Sequence, residues 1–436
     1  MLVRFFLKKR KSKLLHSEKH FSTIPKGKRS KWGNKMNEQR RICVYKNEYT
    51  HWKCPYEALD DSKEGYCIFH ERRRDKDIEK FNEGIKRILE EKESDAYRFE
   101  GFFFPTFFDF SGFEFKKNVF FSLVVFPQGV NFSKAKFLGD LSDFSEAKFS
   151  GALNDFKEVK FLGKKTIFNL AEFSGETPFK NADFLGVEVD FKGIEFSKDI
   201  ESISFGGTIF EAKTNFTWVD LRKFFFFLVD LKNVDFSLLD WDWKYKLQNE
   251  ISIPRYTKLK EVFYKETSEI YRQLKVQFHN KRDFAKAGMF HFREQECKRK
   301  AFNPLSWDFF NWIFLWFLKL SCGYGEKLRN VWWSSVVLIF LFAFGYMFLG
   351  LHNADESASL VFNYDLSFKN IAPITTILKD FGTSLIFSIK GFFPLWRFQQ
   401  YKVVGDFANL VAGIEFLLGA FMVGLFVYVF RRRMDK

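Results

Sequence analysis

Phenylalanine recurs at steps of five to seven residues through the middle of this chain, and that spacing limits the fold more than any other feature. An α-helix would need apolar residues at three- and four-residue steps, and an ordinary strand would need them at two-residue steps. A five-residue step does suit a square coil in which each five-residue unit forms one side. The positions in register are Phe110, Phe115, Phe121, Phe126, Phe132, Phe137, Phe144, Phe149, Phe156, Phe161, Phe168, Phe173, Phe179, Phe184, Phe191 and Phe196, followed by Phe205, Phe210, Phe216, Leu221, Leu231, Phe236 and Trp241.

A small or aliphatic residue stands two positions before every second Phe, as at Ala135, Ala147, Val159, Ala171 and Ala182. The segments FSKAKF, FSEAKF, FKNADF and FTWVDL resemble the aromatic class of pentapeptide-repeat proteins. The resemblance implies a right-handed quadrilateral β-helix in which both residue types point inward and successive coils lie about 4.8 Å apart. The extra residues at alternate corners are expected to bulge outward. The run predicts about six coils in a rod about 30 Å long.

The remaining patterns divide the chain into six segments. They predict a mixed fold, in which a pentapeptide-repeat solenoid is followed by a helical hairpin and an α-helical membrane domain with two spans. The predicted segments are a basic disordered arm at 1–41, a Cys/His element at 42–70, a capping helix at 71–100, the solenoid at 101–245, the hairpin at 255–303 and the membrane domain at 304–436.

A cluster of metal-ligand residues precedes the repeats. Cys43, Cys54, Cys67 and His70 fall within 28 residues, and three thiolates with one imidazole make a closed tetrahedral set that suits structural zinc. Metal binding would stabilise a patch too small to fold on a core of its own. His51 is a rival fourth ligand, and free thiols are the alternative. Pentapeptide-repeat proteins of this general type often carry a similar C…C…YCxxH element, which favours zinc.

Helices are predicted on both sides of the repeats. The stripe formed by Ile78, Phe81, Ile85 and Ile88 predicts a helix that covers the open end of the first coil. After the repeats, 255–303 predicts two helices with a break at 280–283, which resembles the hairpin between repeats and membrane spans in bacterial channel-like proteins. His291 and Glu294 share one face of the second helix and are interpreted as surface residues.

Two apolar stretches, 331–351 and 407–430, are long enough to cross the bilayer, and the aromatic segment 305–320 is predicted to lie in the interface. Basic residues precede the first stretch and follow the second. The positive-inside rule therefore places both termini in the cytoplasm. The chain is expected to be a multi-pass protein of the cytoplasmic (inner) membrane, with the zinc element and the solenoid on the cytoplasmic side.

The segment 375–396 between the spans is predicted to be a re-entrant loop. A span, a re-entrant helix and a second span resemble a two-span potassium-channel subunit, and the resemblance implies a homotetramer. The last span, GIEFLLGAFMVGLFVYVFRRR, resembles that of bacterial pentapeptide-repeat channel proteins, and Ala420 and Gly424 in it offer small residues for close helix packing. The candidate pore-lining residues are Ser388, Lys390, Gly391, Pro394 and Glu415.

The sequence departs from a potassium filter, which needs a run such as TVGYG whose carbonyls replace ion hydration. Here Gly391 is the one glycine at the matching place, and a ring of Lys390 side chains would repel cations. The Gly-Tyr-Gly run at 323–325 precedes the first span and is interpreted as a turn between helices. The sequence therefore predicts no potassium selectivity.

The net charge of +15 does not indicate nucleic-acid binding. Fourteen basic and two acidic residues lie in 1–41, while 132–241 holds 18 acidic and 14 basic residues, which argues against both a basic nucleic-acid face and the strongly acidic face of a DNA mimic. No phosphate-binding glycine loop or activated nucleophile indicates an enzyme. The leading hypothesis is a channel-like protein whose cytoplasmic solenoid binds an unknown protein or ligand. The alternative is a non-conducting, membrane-anchored scaffold for protein–protein interaction.

Overall fold

A β-solenoid of about six turns, followed by helices of which two could span a membrane, forms the computed structural model of the chain. The predicted fold class is therefore confirmed. The structure describes residues 41–197, 200, 202–239, 241–252, 259–303, 305, 307–353, 360–362, 373–393, 401–403 and 405–434. The basic arm at 1–40 and Pro394 lie outside these residues.

The solenoid is built from short strands, and each pairs in parallel with a strand about 23 residues further on. Its first strand begins at Ala96, ahead of the predicted start at 101, and pairs with Asn118–Phe120. The strands are β1 Ala96–Arg98, β2 Phe108–Asp109, β3 Glu114–Phe115, β4 Asn118–Phe120, β5 Val125–Phe126, β6 Val130–Asn131, β7 Lys136–Phe137, β8 Leu141–Asp143, β9 Lys148–Phe149, β10 Asn154–Asp155, β11 Lys160–Phe161, β12 Lys165–Ile167, β13 Glu172–Phe173, β14 Asp183–Phe184, β15 Glu188–Asp190, β16 Glu195–Phe196, β17 Ile203–Ser204, β18 Ile209–Phe210, β19 Lys213–Asn215, β20 Phe224–Phe225 and β21 Val234–Asp235.

Aromatic ladders fill the inside of the solenoid, as the spacing predicted. The ring of Phe168 stacks between Phe144 and Phe191 with centroid distances of 4.7 and 4.9 Å. From Val119 onward the residue two positions earlier is also buried, including on the alternate sides, whereas Phe108 and Phe113 of the first coil are half-buried. The alternate sides carry inward polar residues such as Ser142, Thr166 and Asn154.

The corners with extra residues carry exposed side chains such as Leu138 and Leu162. Glycines stand there in columns along the axis, and a Cβ atom at Gly163 would overlap the backbone carbonyl of Gly139 in the preceding coil. The same overlap would arise between Gly186 and Gly163. The extra residues thus let successive coils approach closely, and glycine is required because a side chain would separate them.

The N-terminal end of the solenoid is covered by the Cys/His segment and by helix α1, Ile78–Glu90. Phe69 stacks on Phe102 of the first coil at 4.6 Å, and Phe81 of α1 packs edge-on against Phe104 at 5.3 Å. The predicted cap is therefore present, although Ile78 of the predicted stripe is exposed.

A short helix and a helical hairpin close the other end. The helices are α2 Gln248–Ile251, α3 Lys260–Asn280 and α4 Phe284–Ala301. The last coil has no further coil to pair with, and Gln273 and Gln277 of α3 replace it. The side-chain oxygen of Gln273 accepts a hydrogen bond from the Leu231 amide at 2.7 Å, and the amide of Gln277 donates to the Leu231 carbonyl at 2.5 Å. The hairpin is thus part of the solenoid's terminal cap.

The C-terminal part contains helix α5 Phe309–Cys322, helix α6 Leu328–Leu349, strands β22 Leu351–Asn353 and β23 Leu360–Phe362, helix α7 Ile374–Phe392, strand β24 Tyr401–Val403 and helix α8 Asp406–Met434. By length and composition, α6 and α8 could cross a membrane. Much of their apolar surface is exposed, for example at Leu341 and Leu417, which is unlike the buried core helix of a soluble protein.

Candidate metal centre and membrane domain

Three cysteines and one histidine meet at the N-terminal end of the solenoid. The ligand atoms of Cys43, Cys54, Cys67 and His70 all lie within 4.8 Å of one another, and all four residues are buried. The two sulfur atoms of Cys54 and Cys67 are 3.6 Å apart, and His70 Nδ1 is 3.2 Å from the sulfur of Cys67 and 3.6 Å from that of Cys43. The cluster could hold a metal ion. His51, the rival ligand, is exposed and lies outside it.

The donor set fits a tetrahedral ion. Sulfur ligands about 2.3 Å from a central zinc would be about 3.8 Å from each other, close to the observed separation. His70 Nε2 lies 2.9 Å from the backbone carbonyl of Glu100, which fixes the tautomer that leaves Nδ1 free toward the thiols. Hydrogen bonds from Cys54 and Cys67 lower the pKa of Cys43, so the cluster favours a thiolate. The five cysteines are free thiols.

The centre is positioned by its contacts with the first coils. The ring of Tyr45 stacks on His70 at 3.9 Å, and Phe102 approaches His70 edge-on at 5.1 Å. Asn47 donates hydrogen bonds to the buried carboxylate of Glu100 at 3.3 Å and to Ser122 at 3.4 Å. Because Phe102, Glu100 and Ser122 belong to the first coils, the centre and the start of the solenoid form one packed unit.

A buried carboxylate joins the hairpin to the part of the chain that contains the two candidate spans. Glu296 of α4 accepts hydrogen bonds from Tyr324 at 2.6 Å, Lys319 at 3.0 Å and Arg299 at 3.2 Å. Burial alone would raise the pKa of Glu296, but these three donors outweigh it and hold the pKa at about 2. The guanidinium of Arg299 also lies 4.5 Å from the centre of the Trp316 ring. The expected turn at 323–325 is confirmed, and its tyrosine is the contact to the hairpin.

The same turn contacts the end of the second candidate span. Glu326 forms an ion pair with Arg432 at 2.5 Å, and Gly325 packs beside Tyr428. The start of α6 and the end of α8 therefore lie together, next to the hairpin. At the opposite end, β22 pairs antiparallel with β24, which brings the end of α6 to the start of α8. The helices α6 and α8 are thus antiparallel.

Helix α7 enters between α6 and α8 from the end that carries the small sheet. A Cβ atom at Gly419 would overlap the carbonyl oxygen of Phe392, so α7 ends against the middle of α8. Gly419 lies about 20 Å from the start of α8, at 1.5 Å per residue. After α7 the chain returns to the same end at β24. The predicted candidates Lys390 and Gly391 are half-buried in the last turns of α7, while Pro394 lies outside the described residues.

The structure brings two of the predicted candidates together and adds a third group. Glu415 of α8 is buried and contacts the hydroxyl of Ser388 on α7. The hydroxyl of Tyr346 on α6 donates a hydrogen bond to Glu415 at 2.6 Å. Tyr346 was missed because it is 69 residues away in sequence and looks like any apolar residue of the span. A pore-lining role for the candidates stays a prediction.

Comparison of the chain with models of known protein families, with curated proteins and with solved structures finds no match.

Proposed function

We propose that this chain is a membrane-anchored repeat protein with a channel-like, non-potassium-selective membrane domain. Its solenoid would bind a protein partner or a ligand on the cytoplasmic side. The observation that carries the proposal is the path of α7, which enters between two antiparallel apolar helices, ends against Gly419 at mid-length and returns to the same end. A helix that enters between two spans and ends part-way along them is the layout of a pore-forming subunit.

The proposed solenoid-to-membrane coupling is supported by a continuous series of packed contacts. The last coil is bonded to α3 through Gln273, and α4 of the same hairpin is bonded to the turn before α6 through Glu296. That turn is paired with the end of α8 through Glu326. A load on the solenoid would therefore reach both candidate spans without passing through a flexible linker.

The metal of the Cys3His cluster is proposed to be structural zinc. All four donors are protein side chains and all are buried, which leaves no open position of the kind that catalysis requires. Bound zinc would stabilise the cap through Cys43, Cys54, Cys67 and His70. These residues would hold the element against the first coil, which is far along the chain from the membrane domain.

One observation favours a non-conducting scaffold instead. Ser388 and Glu415 face each other inside one protomer, and a pore would need polar groups that face the axis between protomers. The two functions differ in the assembly that they require, because a two-span subunit forms a pore only as an oligomer.

The oligomeric state in lipid nanodiscs tests the proposal. Gly424 of α8 has open space around it, as does Gly345 of α6, and Ala420 one turn before Gly424 is exposed. We expect the wild type and Gly345→Leu to be tetramers. Gly424→Leu should dissociate, because it removes the small residue proposed to face the neighbouring subunit. A monomeric wild type would contradict the channel-like function and leave the scaffold.

A further inference from the structure

We propose that Glu415 is a proton-binding site inside the membrane domain, where a neutral carboxylic acid links α6, α7 and α8. The inference does not depend on whether the domain conducts ions. It rests on the number of hydrogen atoms available to the cluster, on the surroundings of the carboxyl group, and on a line of polar residues that leads to it.

The hydrogen count is the first argument. Ser388 Oγ is within hydrogen-bonding distance of two acceptors, the Ile339 carbonyl at 2.9 Å and the carboxyl group of Glu415. A hydroxyl group carries one hydrogen and can donate it to one acceptor. Both contacts are satisfied if Glu415 is protonated and donates to Ser388, which then donates to Ile339. Tyr346 donates to the other carboxyl oxygen at 2.6 Å, so each hydrogen is used once.

The surroundings of the carboxyl group are the second argument. Glu415 is 1% exposed and lies about 14 Å from the start of α8. The groups that face it are Tyr346 from α6 and Ser388 from α7, and no Lys, Arg or His among the described residues forms an ion pair with it. Lys390 is two residues beyond Ser388 and therefore on a different face of α7. An ionised carboxylate without a cation in such a place is costly, whereas a protonated one is not.

A polar stripe on α7 is the third argument. Asp380, Ser384 and Ser388 recur at four-residue steps, so they share one helix face that runs from the start of α7 to Glu415. Ser384 is fully buried, and its hydroxyl oxygen has no partner within the described part of the chain. A buried hydroxyl group with a free hydrogen-bonding capacity, one turn from a carboxylic acid, provides a step for proton exchange. We infer that protons reach the site along this stripe, from the end of the domain that lies away from the solenoid.

Infrared difference spectroscopy of the full-length protein in nanodiscs tests the protonation state. Exposed carboxyl groups are ionised at about pH 7. The spectrum of the wild type minus Glu415→Gln should then contain the carbonyl band of a protonated carboxylic acid, with a shift in D2O. The matched control, Glu261→Gln on the exposed start of α3, should give carboxylate bands alone. A spectrum with only carboxylate signals for Glu415 would overturn the proposal.

Three further measurements keep the test decisive. If Glu415→Gln does not fold, Tyr346→Phe and Ser388→Ala each remove one hydrogen bond and should shift the same band, and a wild type with no such band overturns the proposal. Sodium chloride should leave the band unchanged, whereas its loss on addition of Na+ would make a sodium ion the ligand and overturn the assignment. Ser384→Ala should slow exchange of the band into D2O relative to Thr383→Ala, and equal rates would contradict the access route.

Discussion

The hydroxyl group of Tyr324 lies 2.6 Å from the carboxylate of Glu296 and donates a hydrogen bond to it, across the boundary between the hairpin and the two candidate spans. Tyr324 belongs to a Gly-Tyr-Gly run, which has the same three residues as the end of a potassium filter. Its backbone is left-handed, and Gly323 on its N-terminal side ends α5 in the same conformation. The run is a turn that ends α5. The side chain of Tyr324 connects this turn to the hairpin, which in turn holds the solenoid.

Tyr324→Phe should weaken the joint between the hairpin and the turn at 323–325, which the Tyr324–Glu296 contact forms. The substitution removes a hydrogen bond to a buried charged group, which is worth about 1.5–3 kcal/mol, and retains the ring that packs against Phe292. We expect a lower midpoint of thermal unfolding and faster proteolysis between the hairpin and α5. Tyr264→Phe, on the same hairpin, is the matched control. Equal stability of the two variants would show that the Tyr324 contact does not hold the domains together.

The joint should also be sensitive to acid. The pKa of Glu296 is about 2 in the folded chain and about 4.3 when exposed, so the ionised form is favoured by folding. Its contribution, on the order of 3 kcal/mol, is complete above the unfolded pKa and is lost as the pH falls from about 4 to about 2. Thermal unfolding of the wild type over this range should show the loss. Glu296→Gln should reduce it, and an unchanged pH profile in that variant would contradict the assignment.

Metal binding should depend on His70 and not on His51. Loss of a group that only hydrogen-bonds to a metal ligand lowers metal affinity roughly 10- to 100-fold. His70→Ala removes a ligand itself, so it should lower zinc affinity by more than that. The expected measurement is one zinc per chain in the wild type and in His51→Ala, by elemental analysis, and far less in His70→Ala. Chelation should expose the three thiols to alkylation. Full zinc content in His70→Ala would exclude the Cys3His site.

The glycine columns of the solenoid predict an unusual sensitivity to a single methyl group. Gly163→Ala would force the coils apart at the carbonyl of Gly139, and overpacking of this kind costs about 1–3 kcal/mol or more. Lys164→Ala is the adjacent control. Its ammonium group pairs with Asp140 at 2.7 Å, but both side chains are exposed and the pair is worth less than about 1 kcal/mol. Chemical denaturation should separate the two variants clearly, and similar midpoints would contradict the close coil contact.

The sequence predicted the solenoid well because its core is periodic. Each Phe occupies an equivalent inward position, so spacing alone identified the coils, the number of turns and the ladder. The inward residues Ser142, Thr166 and Asn154 were missed because polar residues are normally placed on the surface. Asn154 satisfies local backbone groups, because its amide donates to the Phe149 carbonyl at 3.3 Å.

Contacts between distant segments could not be read from the sequence. Glu294 was expected on the surface, and this prediction was wrong. It is 2% exposed, because Lys275 of α3 and Lys298 of α4 form ion pairs with it at 2.7 and 2.6 Å once the hairpin closes. The contact of Glu415 with Tyr346 was hidden for the same reason. Cys43, Cys54, Cys67 and His70 were found because their residue types are uncommon and their spacing is compact.

Ion flux through liposomes that contain the purified protein tests the central claim most directly. Flux would be measured in turn with potassium, sodium and chloride for the wild type, for Lys390→Ala and for Lys379→Ala, which changes a lysine at the exposed start of the same helix. We expect flux without potassium preference, and a change of ion preference in Lys390→Ala alone. The absence of flux from folded, inserted wild-type protein would contradict the channel-like function and favour a membrane-anchored scaffold.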